Sequence, residues 1–128
     1  MPQTTLIIAS ILGGLAVIFG AFGAHAFKKI LSEEQLKSFE TGVKYQMYHA
    51  IILLIIGFNF SLEIPSEKYM VYSFIIGIIL FSFSIYGLVI SSAKNKKLRF
   101  LGPITPLGGL FLIIGWCMLC YNVLYIDC

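Results

Sequence analysis

Charge is what this sequence has little of, and it is missing entirely from four long stretches. Asp, Glu, Lys and Arg make up 12% of the 128 residues, which is about half the share in a typical soluble domain. The uncharged stretches are Met1–Phe27, Tyr45–Leu62, Tyr69–Ala93 and Phe100–Ile126. An apolar run of about 18 residues or more can cross a membrane as a helix. The pattern excludes a water-soluble globule, a disordered chain and a nucleic-acid-binding protein, and it predicts four transmembrane helices.

The predicted spans belong to a single membrane domain that covers residues 1–128. Their expected bounds are about 4–27, 43–62, 69–93 and 106–126. A cleaved signal peptide begins with a positively charged region, and no Lys or Arg precedes the first apolar stretch. We therefore expect this stretch to be retained as the first span.

The loops between the spans differ sharply in positive charge. The first and third loops hold Lys28, Lys29, Lys37, Lys44, Lys94, Lys96, Lys97 and Arg99, whereas the opposite side has only Lys68. Short cytoplasmic loops retain Lys and Arg during membrane insertion. This asymmetry predicts a multi-pass protein of the bacterial cytoplasmic (inner) membrane, with both termini on the periplasmic or extracellular side.

Cysteine is scarce as well, and its placement excludes a secreted disulfide framework. Cys117, Cys120 and Cys128 all lie in or just beyond the last uncharged stretch. Cys117 and Cys120 would place two thiols about one helical turn apart, as in membrane thiol oxidoreductases that reduce quinone. Those enzymes relay electrons through a second cysteine pair, and only Cys128 remains here. Buried cysteine commonly acts as a small apolar residue, so we favour that role over redox chemistry.

Small residues recur along each stretch in alternating steps of four and three. The positions are Ala9, Gly13, Ala16, Gly20 and Gly23; Gln46, Ala50, Leu53 and Gly57; Ser73, Gly77, Leu80, Ser84, Gly87 and Ser91; and Gly108, Leu112, Gly115, Leu119 and Asn122. Membrane helices associate where small residues let their backbones approach. The spacing predicts an all-α membrane protein, a left-handed, antiparallel four-helix bundle. We expect Trp116, in mid-span, to fill volume against one of these seams.

The first loop has the pattern of an amphipathic helix. Ser32 followed by Gln35 is a capping box. One apolar stripe follows, made of Leu36, Phe39, Val43 and Met47. The pattern predicts a short interfacial helix over about 33–41, with a bend at Gly42 into the second span.

Three strings carry a resemblance to a known family. They are Gly20–Ala26 (GAFGAHA), Phe39–Ala50 (FETGVKYQMYHA) and Gly102–Gly109 (GPITPLGG). In this order and spacing the chain resembles the YgdD-like family of small four-helix membrane proteins, a domain of unknown function with eukaryotic transmembrane relatives. The resemblance spans nearly the whole chain. It implies an inner-membrane protein without an established biochemical activity, and the pair of Cys117 and Cys120 is not part of the family pattern.

Polar residues at membrane depth cluster near the predicted cytoplasmic ends of the spans. The set is His25, Glu40, Gln46, Tyr48, His49, Tyr86 and Thr105. Such groups usually face the bundle interior and mark a candidate site. We favour a structural interpretation, in which the two histidines hydrogen-bond loop carbonyls, Gln46 or Thr105. The alternative is a site for a small molecule or a lipid headgroup.

Two histidines on neighbouring helices could also hold a b-type haem. Seams built for close helix contact leave little room for a haem. A zinc site is less favoured still, because only two histidines, His25 and His49, lie on that side and no adjacent Cys or carboxylate ligands are expected to converge with them. We therefore predict no catalytic residue, no metal and no cofactor, with haem or quinone as the weaker alternative.

Four cations in the third loop, Lys94, Lys96, Lys97 and Arg99, are expected to contact anionic lipid headgroups. Together these features predict an integral membrane protein with a structural or accessory role. The protein would act in the bilayer as a homo-oligomer or in a larger membrane complex, without binding nucleic acid. The competing hypothesis is a module that binds a small molecule, a lipid or a redox cofactor through His25 and His49, or through Cys117 and Cys120.

Overall fold

All regular secondary structure in the described part of the chain is helical. The structure is a computed structural model and describes residues 1–94 and 99–125. Four helical segments within those residues are long and apolar enough to cross a membrane, and we call them the first to fourth spans. They are Pro2–Phe27, Glu33–Asn59, Pro65–Ala93 and Arg99–Leu124. The predicted all-α fold with four membrane helices is confirmed.

The second span is one uninterrupted α-helix, and the other three change helix type along their length. The first span comprises α-helix Pro2–Ile18, a π-helical turn Phe19–Gly23 and α-helix Ala24–Phe27. The third comprises α-helix Pro65–Ile78, a π-helical turn Ile79–Phe83 and α-helix Ser84–Ala93. The fourth opens with a 3₁₀ turn Arg99–Leu101 before α-helix Ile104–Leu124. A π turn inserts an extra residue and so changes which side chains face a neighbouring helix.

The π turn of the third span contains Ser82 and is followed by Ser84, and these two serines bond to different neighbours. Ser82 Oγ donates to the carbonyl oxygen of Gly42 in the second span at 2.7 Å. Ser84 Oγ lies 2.6 Å from Thr105 Oγ1 in the fourth span, within hydrogen-bonding distance. The two hydroxyl groups therefore join the third span to both helices packed against it.

The helix of the second span begins with the predicted capping box and is not interrupted before Asn59. The side chain of Ser32 accepts from the Gln35 backbone N–H, and the Gln35 side chain accepts from the Ser32 N–H, which completes the capping box. The predicted interfacial segment forms the first turns of Glu33–Asn59. The chain stays helical at Gly42, where we expected a bend between two separate helices. Gly42 instead makes room for a neighbour, because a Cβ placed there would lie 2.8 Å from Cε1 of Tyr86.

Glycine allows the helices to approach closely. A Cβ built on Gly77 would lie 2.7 Å from Cδ2 of Leu112, so the third and fourth spans meet there. A Cβ built on Gly108 would overlap the backbone of Phe81 in the third span. Such contacts are the basis of helix association in a bilayer. The predicted role of the small residues is confirmed.

Most positions of the predicted seams are buried. The buried members are Ala9 and Ala16; Gln46, Ala50, Leu53 and Gly57; Ser73, Gly77 and Ser84; and Gly108, Leu112, Gly115 and Asn122. The first span packs on the second, the second on the third, and the third on the fourth. The second and third spans are therefore the central pair. We call the end with residues 28–32 and 99–103 the basic end, and the end with residues 60–64 the terminal end.

The connection at the terminal end contains a strained residue that a carboxylate holds in place. Leu62 has a φ of 56°, in the left-handed region that non-glycine residues rarely adopt. Its side chain is nevertheless only 1% exposed. Glu67 Oε2, at the start of the third span, accepts a hydrogen bond from the Leu62 N–H at 3.1 Å and another from Ser61 Oγ at 3.4 Å. Buried Glu67 thereby fixes the entry of the chain into the third span.

Candidate functional site

Gln46 joins three spans through one side-chain amide. Its Nε2 donates to the carbonyl oxygen of Leu12 in the first span at 2.7 Å. Its Oε1 accepts from the hydroxyl of Tyr86 in the third span, also at 2.7 Å. Gln46 has no exposed surface. The amide therefore makes hydrogen bonds at both ends in a setting where an unpaired polar group is costly.

His49 lies three residues further along the same helix and uses both ring nitrogens. Nδ1 is 2.7 Å from the carbonyl oxygen of Tyr45, one turn back. Nε2 is 3.0 Å from Nε1 of Trp116 in the fourth span. A carbonyl can only accept, and an indole N–H can only donate. These partners require a neutral imidazole with its proton on Nδ1.

Aromatic rings surround both polar side chains. Tyr86 packs against Phe19 with ring centroids 5.3 Å apart and against Phe39 at 5.2 Å. Phe74 packs against His49 at 5.7 Å and against Trp116 at 5.6 Å. We call Gln46, His49, Tyr86 and Trp116, with the pair of Gly42 and Ser82, the polar seam. It connects the second span to each of the other three.

The structure divides the predicted polar cluster rather than assembling it. Gln46, His49 and Tyr86 are buried in the polar seam. Thr105 lies apart from them and pairs with Ser84. The remaining three predicted residues, His25, Glu40 and Tyr48, are exposed. No hydrogen bond or ring contact joins His25 to His49 in the described residues.

The hydrogen bonds of His49 argue against the haem alternative. Axial ligation needs a free ring nitrogen, and both nitrogens of His49 already have partners. Within residues 1–94 and 99–125, no group of three His, Cys, Asp or Glu side chains lies close enough to hold a metal ion. A haem on His25 and His49 would require breaking the contact between Trp116 and His49.

Trp116 and Ser82 are the members of the polar seam that sequence reasoning missed. Trp116 is separated from His49 by 67 positions, so no local pattern links them. We expected Trp116 only to fill volume between helices. The residue is 43% exposed, and its indole N–H forms a hydrogen bond to another helix. A tryptophan in mid-span carries an N–H donor that needs an acceptor, and this requirement could have indicated a polar partner on another helix.

A cavity of about 540 Å³ opens at the basic end, away from the polar seam. The first turns of the second span, the last turns of the third and the start of the fourth form its walls. Its lining residues are Glu34, Gln35, Ser38, Ile85, Leu88, Val89, Ser92, Gly102, Thr105 and Pro106. Thr105 is the predicted cluster residue that reaches this cavity.

Two of the four cations predicted to contact lipid headgroups are described, and both are close in sequence to cavity residues. Lys94 follows the third span and Arg99 opens the fourth, and both side chains are exposed. Lys96 and Lys97 lie outside the described residues. Cys117 and Cys120 are free thiols, exposed on the fourth span, and Cys128 also lies outside the described residues.

The sequence of the chain matches a known protein family. Residues 19–109 match the family described as "Protein of unknown function (DUF423)". The chain belongs to this family. It is 39% identical over 117 residues, covering 89% of each chain, to UPF0382 membrane protein SAB0533 of Staphylococcus aureus (strain bovine RF122 / ET3-1). It is 38% identical over 119 residues to UPF0382 membrane protein YwdK of Bacillus subtilis (strain 168), covering 89% of this chain and 90% of the relative.

A third genus contains a similar protein. The UPF0382 membrane protein of Haemophilus influenzae (strain ATCC 51907 / DSM 11121 / KW20 / Rd) is 34% identical over 122 residues, covering 95% of this chain and 94% of the relative. No solved structure matches the chain. The expected membership of a family of small bacterial membrane proteins is confirmed. The DUF423 match includes Gln46, His49 and Tyr86 and ends before Trp116.

Proposed function

We propose that this integral membrane protein is a non-catalytic structural or accessory component of the bacterial cytoplasmic membrane. The observation that carries the proposal is the hydrogen bonding of His49. Its two ring nitrogens bond to Tyr45 and Trp116, so the deepest titratable group of the predicted cluster has no nitrogen left for a substrate or cofactor.

The other buried polar groups support the same interpretation. Within residues 1–94 and 99–125, every buried side-chain nitrogen and oxygen has a hydrogen-bond partner. Gln46, Ser82 and Ser84 each bond to a different helix from their own. In a bilayer such bonds stabilise helix pairs, because lipid offers no competing partners. The polar side chains of the interior would therefore hold the bundle together rather than perform chemistry.

The orientation of the protein is part of this proposal. Eight of nine Lys and Arg residues fall within residues 28–44 and 94–99, on the side of the basic end, which by the positive-inside rule faces the cytoplasm. Alkaline phosphatase fused after residue 128 is then expected to be active, because the C-terminus lies outside. The same fusion with green fluorescent protein would not fluoresce. The reverse pair of results would contradict the proposed topology.

Purification after mild detergent extraction from the native host tests the proposed role. We expect a colourless protein that does not reduce quinone and that migrates above the monomer mass, either with itself or with a partner. An absorption band of bound haem, or turnover with quinone, would overturn the proposal in favour of a redox module. A monodisperse monomer without a partner would also contradict it.

A second candidate function is binding of a lipid or small molecule. The cavity at the basic end favours it, because its volume of about 540 Å³ lies in the range of small-molecule sites.

A further inference from the structure

The cavity at the basic end lies where the spans meet the membrane surface. Ser92 lies in the last turn of the third span, and Thr105 in the first turn of α-helix Ile104–Leu124. The opposite wall, with Glu34 and Ser38, belongs to the start of the second span. We propose that this cavity binds a phospholipid of the surrounding leaflet whose headgroup carries a primary ammonium group. This inference names the ligand for the second candidate function and rests on it, whereas it does not depend on the structural role proposed first.

Three polar side chains of the cavity differ from those of the bundle interior, because they have no partner among the described residues; Gln35 and Thr105 in the same wall are paired with Ser32 and Ser84. Interior groups such as Gln46 bond to other helices. By contrast, Glu34, Ser38 and Ser92 form no side-chain hydrogen bond or ion pair with any described residue. The cavity therefore offers one carboxylate and two hydroxyls to a ligand. A carboxylate pairs best with a cation that donates hydrogen bonds, and a primary ammonium group has three donors.

Two cations lie close to cavity residues along the chain. Lys94 follows Ser92 by two residues. Arg99 is linked to Gly102 in the cavity wall, because the Gly102 N–H donates to the Arg99 carbonyl oxygen at 3.1 Å. Lysine and arginine near a membrane surface attract lipid phosphates. An exposed carboxylate in the cavity wall, with basic residues close to the wall along the chain, complements a zwitterionic headgroup better than a purely anionic one.

The remaining wall is apolar, which favours a lipid over a soluble amine. Ile85, Leu88 and Val89 come from the third span, and Pro106 from the fourth. These side chains would contact the upper part of the acyl chains and would add binding energy through buried apolar area. Phosphatidylethanolamine combines a primary ammonium group, a phosphate and acyl chains without a further negative charge in its headgroup.

The test uses the purified full-length protein in detergent, with bound lipid counted by native mass spectrometry. Phosphatidylethanolamine is compared with phosphatidylglycerol, which has the phosphate but no ammonium group. We expect E34Q to weaken phosphatidylethanolamine binding about fivefold, as for loss of an interfacial ion pair. E33Q is the matched control: it removes the neighbouring carboxylate of the same helical turn, and Glu33 does not line this cavity. It should leave binding unchanged.

A second variant keeps the proposal testable if E34Q folds poorly. S38F would place a ring in the cavity and should abolish specific binding, with helix content by circular dichroism as the check on folding. Equal binding of the two lipids by the wild type would overturn the proposal, as would equal effects of E34Q and E33Q. Glycerophosphoethanolamine, the soluble headgroup, should compete far more weakly than the lipid. Equal competition would instead identify a soluble amine as the ligand.

Discussion

The indole N–H of Trp116 donates a hydrogen bond to Nε2 of His49 at 3.0 Å, linking the fourth span to the second. Together with the bond between Nδ1 and the Tyr45 carbonyl at 2.7 Å, it holds the imidazole in one neutral tautomer. One turn earlier, Gln46 links the second span to the first and the third. Two adjacent polar side chains on one helix thus connect all four spans.

The two histidines should differ in their effect on stability. His49 is 4% exposed and bonded on both nitrogens, whereas His25 is exposed. We expect H49A to lower the free energy of unfolding by about 1 to 3 kcal/mol, because it leaves the Trp116 N–H unpaired and creates a cavity. H25A should have little effect. Thermal unfolding in detergent, followed by circular dichroism, measures both variants, and equal melting temperatures would contradict the assignment.

The hydroxyl of Tyr86 should matter more than that of an exposed tyrosine. Y86F removes the donor to Gln46 Oε1 and leaves a buried acceptor unpaired. Measured hydrogen bonds between membrane helices average about 0.6 kcal/mol, so we expect a loss of about 0.6 to 2 kcal/mol. Y48F is the control, because Tyr48 is 54% exposed. A Y48F variant as unstable as Y86F would argue against a structural role for the polar seam.

Glycine should be required where helix backbones touch and dispensable elsewhere. A Cβ at Gly108 would overlap the backbone of Phe81, which cannot rotate away as a side chain can. We expect G108A to destabilise the bundle by about 2 kcal/mol or more, through forced separation of the third and fourth spans. At Gly14 no atom lies within 4 Å of the added Cβ, so G14A should be neutral or slightly stabilising. SDS-induced unfolding of the two variants compares the sites directly, and similar midpoints would show that the close approach is not needed.

Glu67 should stabilise the terminal end through the Leu62 backbone. E67A removes the acceptor for the Leu62 N–H and frees a residue held at a φ of 56°. We expect a loss of about 1 to 3 kcal/mol and faster hydrogen exchange between Ser61 and Ile64. E63A, at an exposed glutamate in the same connection, should change neither quantity. Unchanged exchange in E67A would mean that Leu62 keeps its conformation without the carboxylate.

The sequence predicted those features that depend on periodicity and failed where two distant segments meet. Four uncharged stretches were enough for the four spans, and the capping box of Ser32 and Gln35 was visible because it is local. The pairing of His49 with Trp116 depends on how the helices of the second and fourth spans are aligned. No local sequence pattern specifies that alignment, because the two residues are 67 positions apart. The sequence also did not predict the contact of Gly42 with Tyr86, because a glycine can mark either a helix break or a close approach to a ring.

A double-mutant cycle between His49 and Trp116 tests most directly the claim that the polar seam holds the bundle together. H49L, W116F and the double variant are unfolded with SDS in mixed micelles, and their free energies of unfolding are compared with that of the wild type. We predict a coupling energy of about 0.6 to 1.5 kcal/mol, the range for hydrogen bonds between membrane helices. Additive effects, with a coupling energy of zero, would contradict the structural role assigned to this pair.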